Sequence, residues 1–131
     1  MFSNIKTSEE NKARVTELTN KLQLGAENVI ARLAFSYSLS KEVKLELSEI
    51  KDSKGKEYSS KVLFGNLRPY YVALICQHYG IYKSNSEVAK YLKLHIDHGL
   101  ELIYTEFQDN PNLVGTDLLL GWISEGLEVI Q

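Results

Sequence analysis

One apolar stripe constrains this chain more than any other feature. Val88, Leu92, Ile96, Leu100, Ile103 and Phe107 recur at intervals of four and three residues, the repeat that lines one side of an α-helix. Ser84-Asn85-Ser86-Glu87 opens that helix, which reaches about Phe107. Such a face needs partners, and the remaining sequence supplies them as further helices. Pro69 suits the first turn of a helix running to about Tyr79. Tyr70 to Cys76 is apolar on every side, which predicts a central core helix. Thr116-Asp117 caps a last helix carrying Leu119, Trp122, Ile123, Leu127 and Ile130, apolar around more than one face. That breadth suits packing against another subunit.

The first forty residues read as strand, helix, turn, helix. Phe2 to Thr7 alternates roughly, with Phe2, Asn4 and Lys6 on one face of an extended chain. Thr7-Ser8-Glu9-Glu10 matches a capping box, with Thr7 as cap and Glu10 reaching back. The helix runs from about Ser8 to Leu22 on a stripe of Val15, Leu18 and Leu22. Leu24-Gly25-Ala26 breaks it, with Gly25 free to take a left-handed conformation. A second helix spans about Ala26 to Leu39, with Val29, Ile30, Leu33, Ala34 and Tyr37 forming a wider stripe. This order is that of ribbon-helix-helix proteins, whose strands pair across a dimer and enter the major groove. Asn4 and Lys6 would then be displayed to the bases. A capped helix behind an irregular start explains the same residues.

Residues 41–66 form a charged turn region. Lys41 to Leu47 alternates charged and apolar positions, Asp52 to Lys56 is a turn signal, and Val62-Leu63-Phe64 reads as a short buried strand or strap. The expected architecture is thus mainly α: a ribbon-helix-helix, Met-repressor-like start followed by three core and assembly helices, in one domain spanning residues 1–131. At 131 residues, the chain can bury a core without cross-links. Cys76 is its one cysteine, which excludes an internal disulfide and multi-cysteine zinc sites. No signal peptide or membrane span is readable, and a cytoplasmic protein is the default expectation.

Charge is unevenly distributed along the chain. All fifteen Lys and Arg lie in residues 1–93, beside ten Asp and Glu, whereas residues 94–131 hold seven acids and no Lys or Arg. Halves of opposite sign suggest that one end faces a polyanion. Solvated faces clustered by chance give the same count, and a pI near 5.9 weakens any argument from bulk charge.

Catalytic motifs mostly fail. His95 and His98 stand three apart with Glu101 a turn further on, a spacing that can hold a metal. By helical rotation His95 falls at the edge of the apolar stripe and His98 on the polar side, the pattern of boundary histidines. Cys76 and His78 point apart on a helix and cannot pair; a buried, inert thiol is expected. No phosphate-binding glycine loop or nucleophile elbow occurs, and no cofactor is called for.

Several longer stretches carry a family resemblance. Met1-Phe2-Ser3-Asn4-Ile5-Lys6-Thr7-Ser8, Ile30 to Leu39, Gly55-Lys56-Glu57-Tyr58, Leu63-Phe64-Gly65 and His95-Ile96-Asp97-His98-Gly99-Leu100 resemble the DndE family of DNA sulfur modification proteins. The likeness covers nearly the whole chain. It implies a small component of the bacterial phosphorothioation system, which replaces a non-bridging phosphate oxygen of DNA with sulfur as a self mark for restriction. It further implies a non-enzymatic, tetrameric subunit with a Met-repressor-like core that holds duplex DNA, preferring nicks, through surface lysines. Partner proteins would be a cysteine desulfurase, an iron–sulfur protein and an ATPase, which carry the sulfur chemistry.

Joined to the charge pattern, the resemblance nominates Lys6, Lys12, Arg14 and Lys21 near the front, then Lys41, Lys44, Lys51, Lys54 and Lys56, as phosphate contacts. Lysine is a point charge, suited to holding a backbone rather than reading sequence. Two other readings stay open: a sequence-specific ribbon-helix-helix regulator, and a metal-dependent enzyme acting on DNA through His95 and His98.

Overall fold

The computed structural model describes residues 2–112 and 115–130, with side chains as far as residue 125. Its layers assemble around the predicted stripe. Helix α5, Val88–Asp109, buries Val88, Leu92, Ile96, Leu100, Ile103 and Phe107. The helix starts at Val88 rather than Ser84, because Asn85 Oδ1 accepts the Glu87 N–H (2.7 Å) and holds the preceding residues in a turn. Against α5 lies α2, Glu27–Ser40. The fully buried row of α2 is Ile30, Ala31, Ala34, Phe35 and Ser38, while Leu33 and Tyr37 are half-buried. The stripe is therefore turned slightly from the sequence reading, toward the small residues. Small residues win the interface because the helices approach closely: a Cβ on Gly99 of α5 would lie 1.8 Å from the Ala34 carbonyl oxygen.

Helix α1, Glu9–Leu22, packs Val15, Leu18 and Leu22 against the same core. Its cap is Ser8, whose Oγ accepts the Asn11 N–H at 3.2 Å, and not Thr7. Thr7 is unavailable because its backbone continues a small sheet. Strand β1, Asn4–Lys6, pairs antiparallel with β2, Glu57–Ser59, in the register Asn4–Ser59, Ile5–Tyr58 and Lys6–Glu57. The ribbon thus closes within one chain, where the ribbon-helix-helix reading has the strand pair with a second copy. Ile5 and Tyr58 point into the core, and Asn4 and Lys6 point out. At the far end of α1 the left-handed residue is Gln23 (φ 56°), with Gly25 at φ 131° in the turn that follows.

Three other expectations change. Val62 to Phe64 belongs to a short helix, α3 (Ser60–Phe64), capped by Ser59 Oγ on the Val62 N–H; Leu63 and Phe64 are buried but Val62 is exposed. Lys41 to Leu47 forms no strand and leads into a 3-10 turn, Leu47–Glu49. Helix α4, Arg68–Tyr79, is a surface helix rather than a central one. Only its Val72 and Ile75 are buried, since it packs chiefly on α3 and α5 and leaves its other sides open.

The last helix, α6 (Gly115–Ile130), begins one residue before Thr116, so Thr116 and Asp117 lie within its first turn. Gly115 sits where a Cβ would meet the Leu22 carbonyl at 2.1 Å. Leu118 is buried, and Trp122 stacks on Tyr37 with ring centroids 4.3 Å apart. The side chains of Leu127 and Ile130 fall outside the described residues. Among the described residues no helix is long and apolar enough to cross a membrane.

Because the Ala34 backbone cannot retreat from α5, Gly99→Ala should destabilise the protein by about 2–3 kcal/mol through overpacking. Urea denaturation reads this, and a loss below about 0.5 kcal/mol would contradict the close approach of α2 and α5.

Candidate nucleic-acid interface

Asp97 organises the basic end of the molecule. Its carboxylate is buried, and Oδ1 accepts the Ser8 N–H (3.0 Å) and the Asn11 amide (2.8 Å). Oδ2 meets the Lys93 ammonium at 2.7 Å. The carboxylate thus sits at the positive end of α1 and fixes that helix on α5. Lys93, itself buried, also donates to the Asp52 carbonyl oxygen (2.8 Å) and so tethers the loop at residues 51–56.

The loop closes on the start of α1 through its own backbone. The Thr7 N–H donates to Lys56 O (2.9 Å), the Lys56 N–H to Thr7 Oγ1 (2.8 Å), and the Gly55 N–H to Thr7 O (2.9 Å). The Asp52 carboxylate accepts the Glu9 and Lys54 N–H groups, which hold it below the usual carboxylate range. A side chain at Gly55 would strike the Ser8 carbonyl at 2.0 Å.

This clasp gathers some of the sequence-predicted lysines and separates others. Lys6, Lys54 and Lys56 converge on Thr7, all three within one residue of it or of its bonded partners. Lys12 lies one turn before Thr16, whose hydroxyl donates to Glu27 Oε1 (2.9 Å), and Glu27 Oε2 pairs with Lys56 at 3.4 Å. Lys6, Lys12 and Lys54 are exposed and have no carboxylate partner among the described residues.

Arg14 and Lys51 are drawn instead to the acidic α5. Arg14 lies 3.5 Å from Glu10 and 3.7 Å from Glu101, and Lys51 bonds the same Glu101. That bond raises the Lys51 ammonium above its ordinary range. Lys21 sits at the far end of α1, over the Phe107 ring (5.1 Å). Lys41 and Lys44 follow α2, roughly 20 Å of helix away from the Glu27–Lys56 pair. Lys41 rests over the Tyr37 ring (4.4 Å), and its bond with Tyr37 raises its pKa. Among the cations that the sequence reading did not nominate is Lys61, exposed on α3 directly after β2. Its only signal in sequence was its place beside Gly55 to Tyr58.

The histidines have a different role. His95 is fully enclosed rather than on the boundary, and His98 is half-buried rather than on an open polar face. Ser38 Oγ stands 2.7 Å from His95 Nδ1 and 2.8 Å from His98 Nδ1, and the Tyr79 hydroxyl 2.6 Å from His95 Nε2. A hydroxyl has one hydrogen to give, so at least one ring donates to Ser38 from its Nδ1–H. Burial pushes His95 down to about 4 and also lowers His98, and burial raises the Tyr79 hydroxyl to about 12. All three groups are therefore neutral at pH 7 and knit α2, α4 and α5 together. Among the described residues no group of three or more His, Cys, Asp and Glu could hold a metal. Cys76 is half-exposed rather than buried, and His78 turns away from it to bond Val43 O at 3.0 Å.

Comparisons with known proteins give one family. The sequence model described as DNA sulphur modification protein DndE matches residues 4–110. Two similar solved structures are the crystal structure of DndE from Escherichia coli B7A involved in DNA phosphorothioation modification (15% identity, TM-score 0.63) and that of a DndE mutant involved in DNA phosphorothioation (17% identity, TM-score 0.66). Each alignment covers 79% of this chain and 98% of the other. At those identities the likeness is one of fold. No curated protein sequence matches the chain.

Removing Asp97 leaves the Lys93 ammonium buried without its partner. Asp97→Ala should cost about 3–5 kcal/mol, and joint replacement of both residues by apolar side chains should recover much of it; urea denaturation of the wild type and the two variants measures both. His95 is neutral in the fold but titrates near 6.5 when unfolded, so its contribution to stability is complete above about 6.5 and drains away as pH falls toward about 4. Its ring resonances in the folded protein should accordingly stay at their neutral positions until the pH nears about 4, and protonation near 6.5 would contradict the burial.

Proposed function

The chain belongs to the DndE family of DNA sulphur modification proteins, and from that premise we propose that it is the DNA-holding, non-catalytic subunit of a phosphorothioation system. The observation that carries this reading is the clasp around Thr7. It presents exposed Lys6, Lys12 and Lys54, with Lys56 and Lys61 close by, on a rigid support inside the family-matched residues. Each ammonium that neutralises a phosphate releases a counterion, so a few such ammonium groups suffice for useful affinity at moderate salt despite the acidic pI.

Of the other candidates, Lys44 is an exposed cation at the opposite end of α2 and forms a second contact point. Arg14, Lys21, Lys41 and Lys51 contribute to the field around the DNA while held by Glu101 or by aromatic rings. The preference for nicked duplex, the tetramer, the cytoplasmic setting and the partnership with the desulfurase, iron–sulfur protein and ATPase are part of the same proposal and come from the family resemblance. The sulfur chemistry belongs to those partners in this reading.

The test is salt-titrated binding to nicked and intact duplexes. Joint replacement of Lys6, Lys12, Lys54 and Lys61 by Ala should lower affinity for every sequence alike. It should flatten the dependence of log K on log salt by about 0.9 for each phosphate that is no longer neutralised. Thermal stability should hardly move, since the four side chains are exposed. Unchanged affinity and slope would refute the clasp as the DNA-holding surface, and a change of preferred sequence would favour a regulator that reads bases.

A further inference from the structure

A groove of about 820 Å³ lies between α4 and the turn that follows it. Its apolar lining is aliphatic: Val72, Ala73, Cys76 and Ile81. Arg68, Lys83 and Ser84 supply its polar lining. A neighbouring hollow of about 560 Å³ shares Val72, Lys83 and Ser84 and adds Phe2 and Val88, so the apolar surface continues beyond the groove itself.

The cations of this groove lack counter-charges. Arg68 Nη2 donates to Phe2 O at 3.2 Å, and the guanidinium lies over the Phe2 ring, 4.9 Å from its centroid. These contacts fix the group, yet its Nε is buried without a hydrogen-bond partner. Neither Arg68 nor Lys83 pairs with a carboxylate among the described residues. Residues 58–86 hold no acid. The acids on either side turn elsewhere: Glu57 accepts the Asn4 amide at 2.7 Å, and Glu87 lies 3.9 Å from Lys90. A buried donor left unpaired costs free energy that an acceptor in the groove would return. An anion is the strongest acceptor for a fixed guanidinium.

An aliphatic lining beside an unsatisfied cation fits a small molecule with an apolar chain and an anionic end. We propose that this groove binds an aliphatic carboxylate of medium length, its chain on Val72, Ala73, Cys76 and Ile81 and its headgroup on Arg68 and Lys83. A flat nucleobase fits less well, because stacking needs an aromatic face. The one aromatic ring among the described lining residues, Tyr82, is 85% exposed. The site does not depend on the DNA-holding proposal, since none of its residues is among the lysines assigned there.

Calorimetric titration of the full chain with sodium decanoate, below its micelle concentration, tests the site. Binding should saturate at one decanoate per chain. Octanoate should bind about tenfold more weakly, because two fewer methylenes are buried. Octanol, which has the chain without the anion, should bind about tenfold more weakly than octanoate, and acetate should not bind. Arg68→Gln should weaken decanoate binding about tenfold or more. Ala73→Glu, at an exposed position of the lining, should abolish it. Circular dichroism checks that both variants stay helical. Cys76 is the one cysteine of the chain, so its alkylation by iodoacetamide reports on the groove directly and should slow several-fold at saturating decanoate. Phosphatidylglycerol vesicles, whose acyl chains are held in a bilayer, should not co-sediment the protein. Decanoate binding that is absent, insensitive to Ala73→Glu or without effect on Cys76 alkylation would overturn the proposal. Vesicle binding without decanoate binding would also overturn it and give the cations to a membrane surface.

Discussion

The buried carboxylate of Asp97 is the interaction on which the basic end of this protein depends. It holds the first turn of α1 through Ser8 and Asn11, and it holds Lys93, which in turn tethers the loop at Asp52. A buried ion pair contributes little net stability over an apolar substitute, because both charges lose water. Its value here is positional. Every polar atom in the cluster has one geometry that satisfies it, so α1, α5 and the loop can meet in only one register. The lysines that ride on the loop inherit that rigidity.

The stretches that carry the family resemblance act in the same way. Within His95 to Leu100, His95 bonds Ser38 and Tyr79, Asp97 anchors α1, Gly99 lets α2 approach, and Leu100 fills the core. Gly55 and Lys56 tie the loop to Thr7 by backbone bonds, and Tyr58 fills the core beneath the sheet. Family-specific sequence here specifies packing. Lys6, Lys12 and Lys54, among the side chains proposed to touch DNA, are exposed and lack a carboxylate partner among the described residues. A histidine pair that resembles half a metal site in the sequence is, in the fold, two neutral rings sharing a serine.

The charge division along the chain translates only partly into space. Lys6, Lys12 and Lys54 are exposed, but Arg14 and Lys51 find Glu101, an acid from the opposite half of the sequence. Counting charges along a chain cannot anticipate this, because α5 passes beside α1 and brings acids from the rear to the front. Lys21 lies at the far end of α1, and Lys44 lies beyond the end of α2. The cations of the front half therefore do not form one continuous front.

Periodicity determined the long amphipathic helices: the stripe from Val88 to Phe107, the row Val15, Leu18, Leu22, and the strand-helix-helix start all appear where the sequence places them. Local spacing is sufficient for these because a helix buries whichever face is apolar, whatever covers it. Which element covers which was decided only by the tertiary structure. The strand at Asn4 found its partner 53 residues away rather than in another chain. Thr7 lost its cap to Ser8, and the apolar α4 came to the surface because the deeper place beside α5 was filled by α2. Those outcomes depend on competition among distant groups for the same hydrogen bonds and the same buried area, and no window of neighbouring residues contains that competition.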